Sequence, residues 1–118
     1  MANNIPFQPM GKTYKLTANV NVQTIQVSAD SPSNQYLFIN HENPSAQPVY
    51  VRISANSGNN VGIPGNGAAN AAYGIPVRPS SYLIMSGPQC STDKTVYISV
   101  TSESDSPEIY IVPGEGML

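Results

Sequence analysis

The sequence predicts an all-β domain: a β-sandwich or jelly roll of about seven to eight short antiparallel strands, preceded by an extended N-terminal arm. Three observations carry this. Twenty Ile and Val stand against four Leu, and seven Tyr add to the strand-forming side. Fourteen Ser, twelve Asn, eleven Pro and nine Gly supply residues that meet special backbone angles or hydrogen-bond their own backbone in turns. Apolar residues recur with period two in short runs separated by turn clusters, and no stretch shows the helical period.

The elements follow in order. Residues 1–11 carry Pro6 and Pro9 without periodicity and read as the arm. Lys12–Ala18 and Val20–Ser28 read as strands. In the second, Val20 and Val22 alternate with polar neighbours, the phase slips at Thr24-Ile25 and resumes through Val27, as a bulge would cause. After the turn cluster Asp30–Asn34, Gln35–His41 is a strand apolar on both faces at Tyr36-Leu37-Phe38-Ile39. Val49–Ser54 gives the clearest alternation, with Val49, Val51 and Ile53 inward and Tyr50, Arg52 and Ser54 outward. Residues 56–72, six of them Asn or Ser and four Gly, form a long loop of a kind that marks function or disorder. Ile75–Pro79 leads into a strand at Ser81–Met85, which Gly87-Pro88 is expected to break. Thr95–Val100 and Glu108–Val112 complete the set, the last ended by Pro113-Gly114-Glu115-Gly116. Periodicity does not reveal the order of strands in the sheets.

A chain of 118 residues fits one domain, here an arm at 1–11 and a body at 12–118. Ile, Val, Leu and Phe make up 26 of the 118 residues, or 22%, so the core is lean but sufficient to fold. Charged residues are 10% of the chain and the formal net charge is −2. Nucleic-acid binding is not expected, because phosphate neutralisation needs clustered Lys and Arg. No apolar run reaches the length of a membrane helix and no signal peptide opens the sequence, so no membrane partner is expected and a cytosolic origin fits. One cysteine, Cys90, excludes an internal disulfide framework and a cysteine-based zinc site.

No constellation in the sequence points to catalysis, a cofactor or a metal. His41 is the single histidine, beside Glu42 at a strand end, and there is no GxSxG motif for a Ser-His-Asp arrangement. Cys90 has no nearby base, so it reads as a free, partly buried thiol. Glu103, Asp105 and Glu108 offer oxygen ligands, yet their spacing matches no EF-hand loop and a solvated acidic turn is the simpler reading. Gly62–Gly67 is neither a Walker loop nor a GxGxxG turn ahead of a helix.

Interaction surfaces are better represented. Tyr50, Tyr97 and Tyr110 lie at outward phase on three strands and could share one adhesive face with Arg52, since tyrosine offers large area, a polar tip and little entropy to lose. The equal alternative is three separate surface tyrosines. From Asp93 onward five acids face one Lys, whereas Lys12, Lys15, Arg52 and Arg78 outnumber Asp30 and Glu42 before it. Copies could pair these halves, though scattered surface charges contribute little individually.

The stretch Asn40–Ile53 with its following Gly/Ala/Asn-rich loop, the segment Ile75-Pro76-Val77-Arg78-Pro79, and the ending Ile109-Tyr110-Ile111-Val112-Pro113-Gly114-Glu115-Gly116-Met117 resemble small virion proteins of tailed bacteriophages. The likeness covers residues 35–118, with its most specific part at the C-terminus. It implies a β-sandwich structural protein of the particle, a capsid decoration (cement) protein on the virion surface, assembled in the host cytoplasm. Its partners would be the major capsid protein and copies of itself, a trimer suiting pseudo-threefold shell positions. Ile5, Pro6, Phe7 and Pro9 would then make the arm a bridge, because proline lowers the entropic cost of ordering it. The alternative places the same fold in the tail, neck or fibre as a connector or carbohydrate-binding module.

Overall fold

The computed structural model describes residues 7–42, 47–56, 61–63, 65, 67, 73–103 and 107–116. Among the described residues nine strands occur in this order: β1 (Gln8–Pro9), β2 (Tyr14–Thr17), β3 (Gln23–Val27), β4 (Ser33–Asn40), β5 (Val49–Ser54), β6 (Ile75–Val77), β7 (Ser81–Cys90), β8 (Val96–Thr101) and β9 (Glu108–Glu115). All pair antiparallel, in two sheets. One sheet runs β1-β9-β4-β7, with β2 also on the outer edge of β9, and the other runs β3-β8-β5-β6.

This order is a ribbon rolled up. Strands β2 to β5 run outward and β6 to β9 return, each returning strand paired with its outgoing counterpart: β2 with β9, β3 with β8, β4 with β7, β5 with β6. Rolling the ribbon adds the β4·β9 and β5·β8 pairings. The result is the two-sheet jelly roll, which leaves fewer edges than an open sheet of the same strand number. At each corner, where the ribbon crosses between sheets, its two halves stay hydrogen-bonded. Ala18 N–H donates to Pro107 O at 2.8 Å and Ser102 N–H to Asn19 O at 2.9 Å. Ala29 N–H donates to Ser91 O at 3.3 Å, and Asn40 Nδ2 to Val77 O at 3.0 Å. Ala18 and Ala29 are buried at these bends, where a larger side chain would obstruct the crossing.

The core fills the space between sheets with the inward residues of every central strand. Phe38 and Tyr36 of β4, Val49 and Val51 of β5, Ile98 of β8 and Ile109 and Ile111 of β9 are all fully buried. The alternation expected for Val49–Ser54 and Thr95–Val100 therefore holds. Registers such as Val51↔Val100 and Ile53↔Ile98 keep apolar residues opposite one another on the inner face.

Three local expectations are corrected. There is no bulge in β3, whose pairing with β8 is continuous from Gln23↔Val100 to Val27↔Val96. Val20 and Val22, exposed at 63% and 38%, instead precede the strand in a turn where Asn19 Oδ1 accepts the Asn21 N–H at 2.8 Å. Gly87-Pro88 does not end β7: the register jumps from Gln35↔Ser86 to Ser33↔Cys90, so these residues form a bulge within the strand. Bare of a side chain, Gly87 lets the bulge sit against Ile53 and Tyr36, where a Cβ would stand 3.2 and 3.3 Å from their atoms.

Pro113-Gly114-Glu115 is likewise strand, paired with β4 on one side and with Gln8-Pro9 on the other. Residues 7–10 thus lie along the molecule's own sheet. Met10 N–H donates to Pro113 O at 2.9 Å, and Asp30 N–H donates to Met10 O at 2.6 Å. Of the long loop 56–72, Val61 is buried and Gly74 N–H donates to Gly62 O at 2.8 Å, which ties the loop to the start of β6. Most of that loop, like Ile5 and Pro6, lies outside the described residues.

Candidate functional site

In a two-sheet sandwich each sheet has an inner and an outer face, and the outer face of an antiparallel sheet is ordinarily polar. The four-stranded sheet follows this rule. Its outer face carries Tyr50, Arg52 and Ser54 on β5 opposite Thr101, Ser99 and Tyr97 on β8. Thr24 of β3 lies beside Ser99, their hydroxyls 2.8 Å apart.

The five-stranded sheet breaks the rule. The pairings Ile39↔Tyr110 and Ile39↔Tyr82 make one outward row across β9, β4 and β7. Leu37↔Val112 and Leu37↔Ile84 make a second beside it. Leu37 and Val112 in the middle of this face are buried, Tyr82 is 57% exposed, and Ile39, Ile84 and Tyr110 lie between. Polar residues bound the rows: Gln35 and Ser86 beyond one end, and on the β2 side Lys15, whose Nζ is 3.6 Å from Glu108 Oε2. His41, just past β4, packs obliquely against Tyr110, with ring centroids 5.1 Å apart and planes at 47°.

Where this face meets the β6–β7 turn there is a pocket of about 350 Å³ lined by Ile39, Asn40, His41, Ser80, Ser81 and Tyr82. Ser80 has φ 58°, a left-handed conformation uncommon for a residue with a side chain. The Ser80, Ser81 and Asn40 side chains of the pocket are committed to backbone partners, whereas His41 is exposed at its rim. Ser80 Oγ donates to Glu42 O at 2.8 Å and Ser81 Oγ to Arg78 O at 2.6 Å. Asn40, besides holding Val77 O, accepts the Glu42 N–H at 3.2 Å. What the pocket offers a ligand is therefore an apolar wall, Ile39 and the Tyr82 ring, with the His41 imidazole beside it.

The residues predicted from sequence do not converge. Tyr50, Arg52 and Tyr97 share the outer face of the four-stranded sheet, whereas Tyr110 lies on the other sheet, on the opposite side of the molecule. Phe7 and Pro9 sit at the edge of the five-stranded sheet. Phe7 lies against Gly114, with its Cζ 2.5 Å from where a Cβ would be. Ile5 and Pro6 are outside the described residues. The residues that sequence reasoning missed are Tyr82, Ile84, Leu37, Ile39 and Val112. Their signal was present in Tyr36–Ile39 and Ile109–Val112, strands too apolar for one buried face, but only the register shows that their second faces adjoin.

The groups weighed for chemistry have structural placements. Cys90 is fully buried with its Sγ 3.5 Å from Ser33 Oγ. Asp93 accepts the Ser91 hydroxyl at 2.7 Å, a bond that holds its carboxyl below the ordinary value and braces the β7–β8 turn. Glu108 faces Lys15, while Asp105 lies outside the described residues. Among the described residues no group of three or more His, Cys, Asp or Glu is placed to hold a metal ion. No family model, curated protein or solved structure matches this chain.

Proposed function

We propose that the protein is a structural component of a tailed-bacteriophage particle, a capsid decoration (cement) protein that docks on the assembled head and stabilises it. The observation that supports this best is the pair of apolar rows, Tyr110–Ile39–Tyr82 and Val112–Leu37–Ile84, on the outer face of the five-stranded sheet. The exposed part of this face, Tyr82 above all, costs free energy in water, and that cost is removed when another protein covers it. The resemblance of residues 35–118 to small phage virion proteins supports the choice of particle, and a rolled β body is a suitable rigid platform for contacts to several shell subunits. On this reading Tyr82 is an anchor, the major capsid protein is the partner, and Pro9, exposed at the sheet edge, adds a second contact. Two anchored contacts on one lattice gain through effective concentration.

Fractionation of full particles tests the reading. The protein is expected to remain with heads after tails are removed. Purified protein should bind empty heads, and Tyr82→Lys should weaken that binding by about 2 kcal/mol, roughly thirtyfold, the loss of one central aromatic anchor. Residence with tails and affinity for glycans, without affinity for heads, would replace this reading with the connector or host-surface one.

A further inference from the structure

Among the described residues the two sheets leave four strand edges, at β3 and β6 of one sheet and at β7 and β1/β2 of the other. An edge presents unpaired N–H and C=O groups that another strand can complete, and soluble proteins blunt such edges with prolines, charges or short strands. Two of the four are blunted in this way, and a third, β3, has only polar side chains exposed. The β1/β2 edge is interrupted between Pro9 and Tyr14 and carries Lys15 in its ion pair with Glu108. β6 is three residues long and contains Pro76. β3 is five residues long, with polar Thr24 and Gln26 exposed.

β7 is the exception. It is ten residues long, and its first six, Ser81-Tyr82-Leu83-Ile84-Met85-Ser86, contain neither charge nor proline. Among the described residues it pairs only with β4, and Pro88 in the bulge interrupts the edge only beyond this run. We propose that β7 is a self-association edge: β7 of one copy pairs antiparallel with β7 of a second across a twofold axis, joining two five-stranded sheets into one.

The occupant follows from symmetry and register. Antiparallel pairing of a strand with itself is what a twofold axis generates, so the same surface serves both copies. With Ile84 opposite Ile84, Tyr82 meets Ser86 on the outer face and Leu83 meets Met85 on the inner face, so every residue faces one already on its own side of the sheet. No like charges meet, because the run holds none. The pairing also joins the Val112–Leu37–Ile84 rows of the two copies end to end across the seam. It goes beyond docking on a shell, since it is expected of the free protein in the absence of particles.

Sedimentation equilibrium at about 0.1 mM, a concentration that populates any dimer with a tighter Kd, is expected to give twice the 12.5 kDa chain mass. Hydrogen exchange should show alternate amides of Ser81–Ser86 slowed at least tenfold in the associated sample relative to a dilute one, which packing of outer faces would not produce. Ile84→Lys and Ile84→Glu should each weaken association at least tenfold by placing like charges together, and mixing the two variants should restore it. A monomer or trimer at this concentration overturns the proposal. So does a dimer whose β7 amides exchange as fast as in the monomer, or a variant mixture that stays apart. Should either variant fail to fold, the exchange of the unaltered protein still decides.

Discussion

Gly114→Ala puts a single methyl group where β1 pairs closely with β9. The added Cβ would stand 2.3 Å from the Gln8 carbonyl oxygen and 2.5 Å from Phe7 Cζ. Carbon does not approach backbone oxygen that closely, so either β9 shifts, which β4 on its other side resists, or residues 7–10 lift away. Overpacking a site that cannot relax costs about 1–3 kcal/mol. Lifting the segment sets a ceiling, since it forfeits the Met10–Pro113 hydrogen bond and its neighbours, each worth roughly 1 kcal/mol net, and the contact of half-buried Phe7. The reduced chain entropy of alanine returns about 0.4–1 kcal/mol. The net expectation is a loss of about 1.5 kcal/mol, or roughly 6 °C in Tm. Urea unfolding followed by circular dichroism measures it. The same substitution in a chain lacking residues 1–9 removes the clash, and there it should cost nothing relative to the truncated parent. An equal penalty in both backgrounds would refute the close pairing as its cause, and so would no penalty in the full chain.

Other outcomes follow from the same geometry. Phe38→Ala deletes a fully buried ring between the sheets and should cost about 3–5 kcal/mol, close to the whole stability of a small domain, read from the urea midpoint. Asn40→Leu strands the Val77 carbonyl and the Glu42 N–H at the third corner, with an expected loss of about 1–3 kcal/mol; an unchanged midpoint would show that water replaces the side chain. Burial, aided by the neighbouring Cys90, pushes the Tyr36 phenol well above its ordinary value of 10.0 while its hydroxyl donates to Pro88 O. The folded pKa is raised, so the stability it contributes is complete below about pH 10 and falls above it by up to about 1.4 kcal/mol per pH unit, as the unfolded chain ionises and the folded one does not. Tyr36→Phe should lose that part of the alkaline slope, and equal slopes in both proteins would contradict the assignment.

Strand existence was legible because it depends on local chemistry: β-branched residues, period-two alternation and turn residues each act within a few positions. Val49–Ser54 and Thr95–Val100 needed nothing else. The misread boundaries share one cause. Gly87-Pro88 and Pro113-Gly114 look like terminators in isolation, since proline donates no ladder hydrogen bond and glycine packs no side chain. In the sheet, a bulge absorbs the first pair, and the second lies where the close approach of Phe7 and Gln8 requires the absence of a Cβ.

The candidate site shows the same division. That β4 and β9 are apolar on both faces was visible in Tyr36–Ile39 and Ile109–Val112, yet an outward tyrosine carries no mark of which sheet it faces out from. Tyr50 and Tyr97 fell on one side of the molecule and Tyr110 on the other only once the ribbon had rolled.

By itself the sequence determined that this chain builds an all-β body from short strands, because alternation and turn chemistry are properties of neighbours along the chain. Tertiary structure decided the rest: the pairing of β4 with β9 and β5 with β8, the docking of Phe7–Met10 over Gly114, and the meeting of Tyr82, Ile39 and Tyr110 in one row. These depend on residues tens of positions apart becoming neighbours, and hydrophobic burial, being non-directional, leaves that choice to the way the ribbon closes on itself.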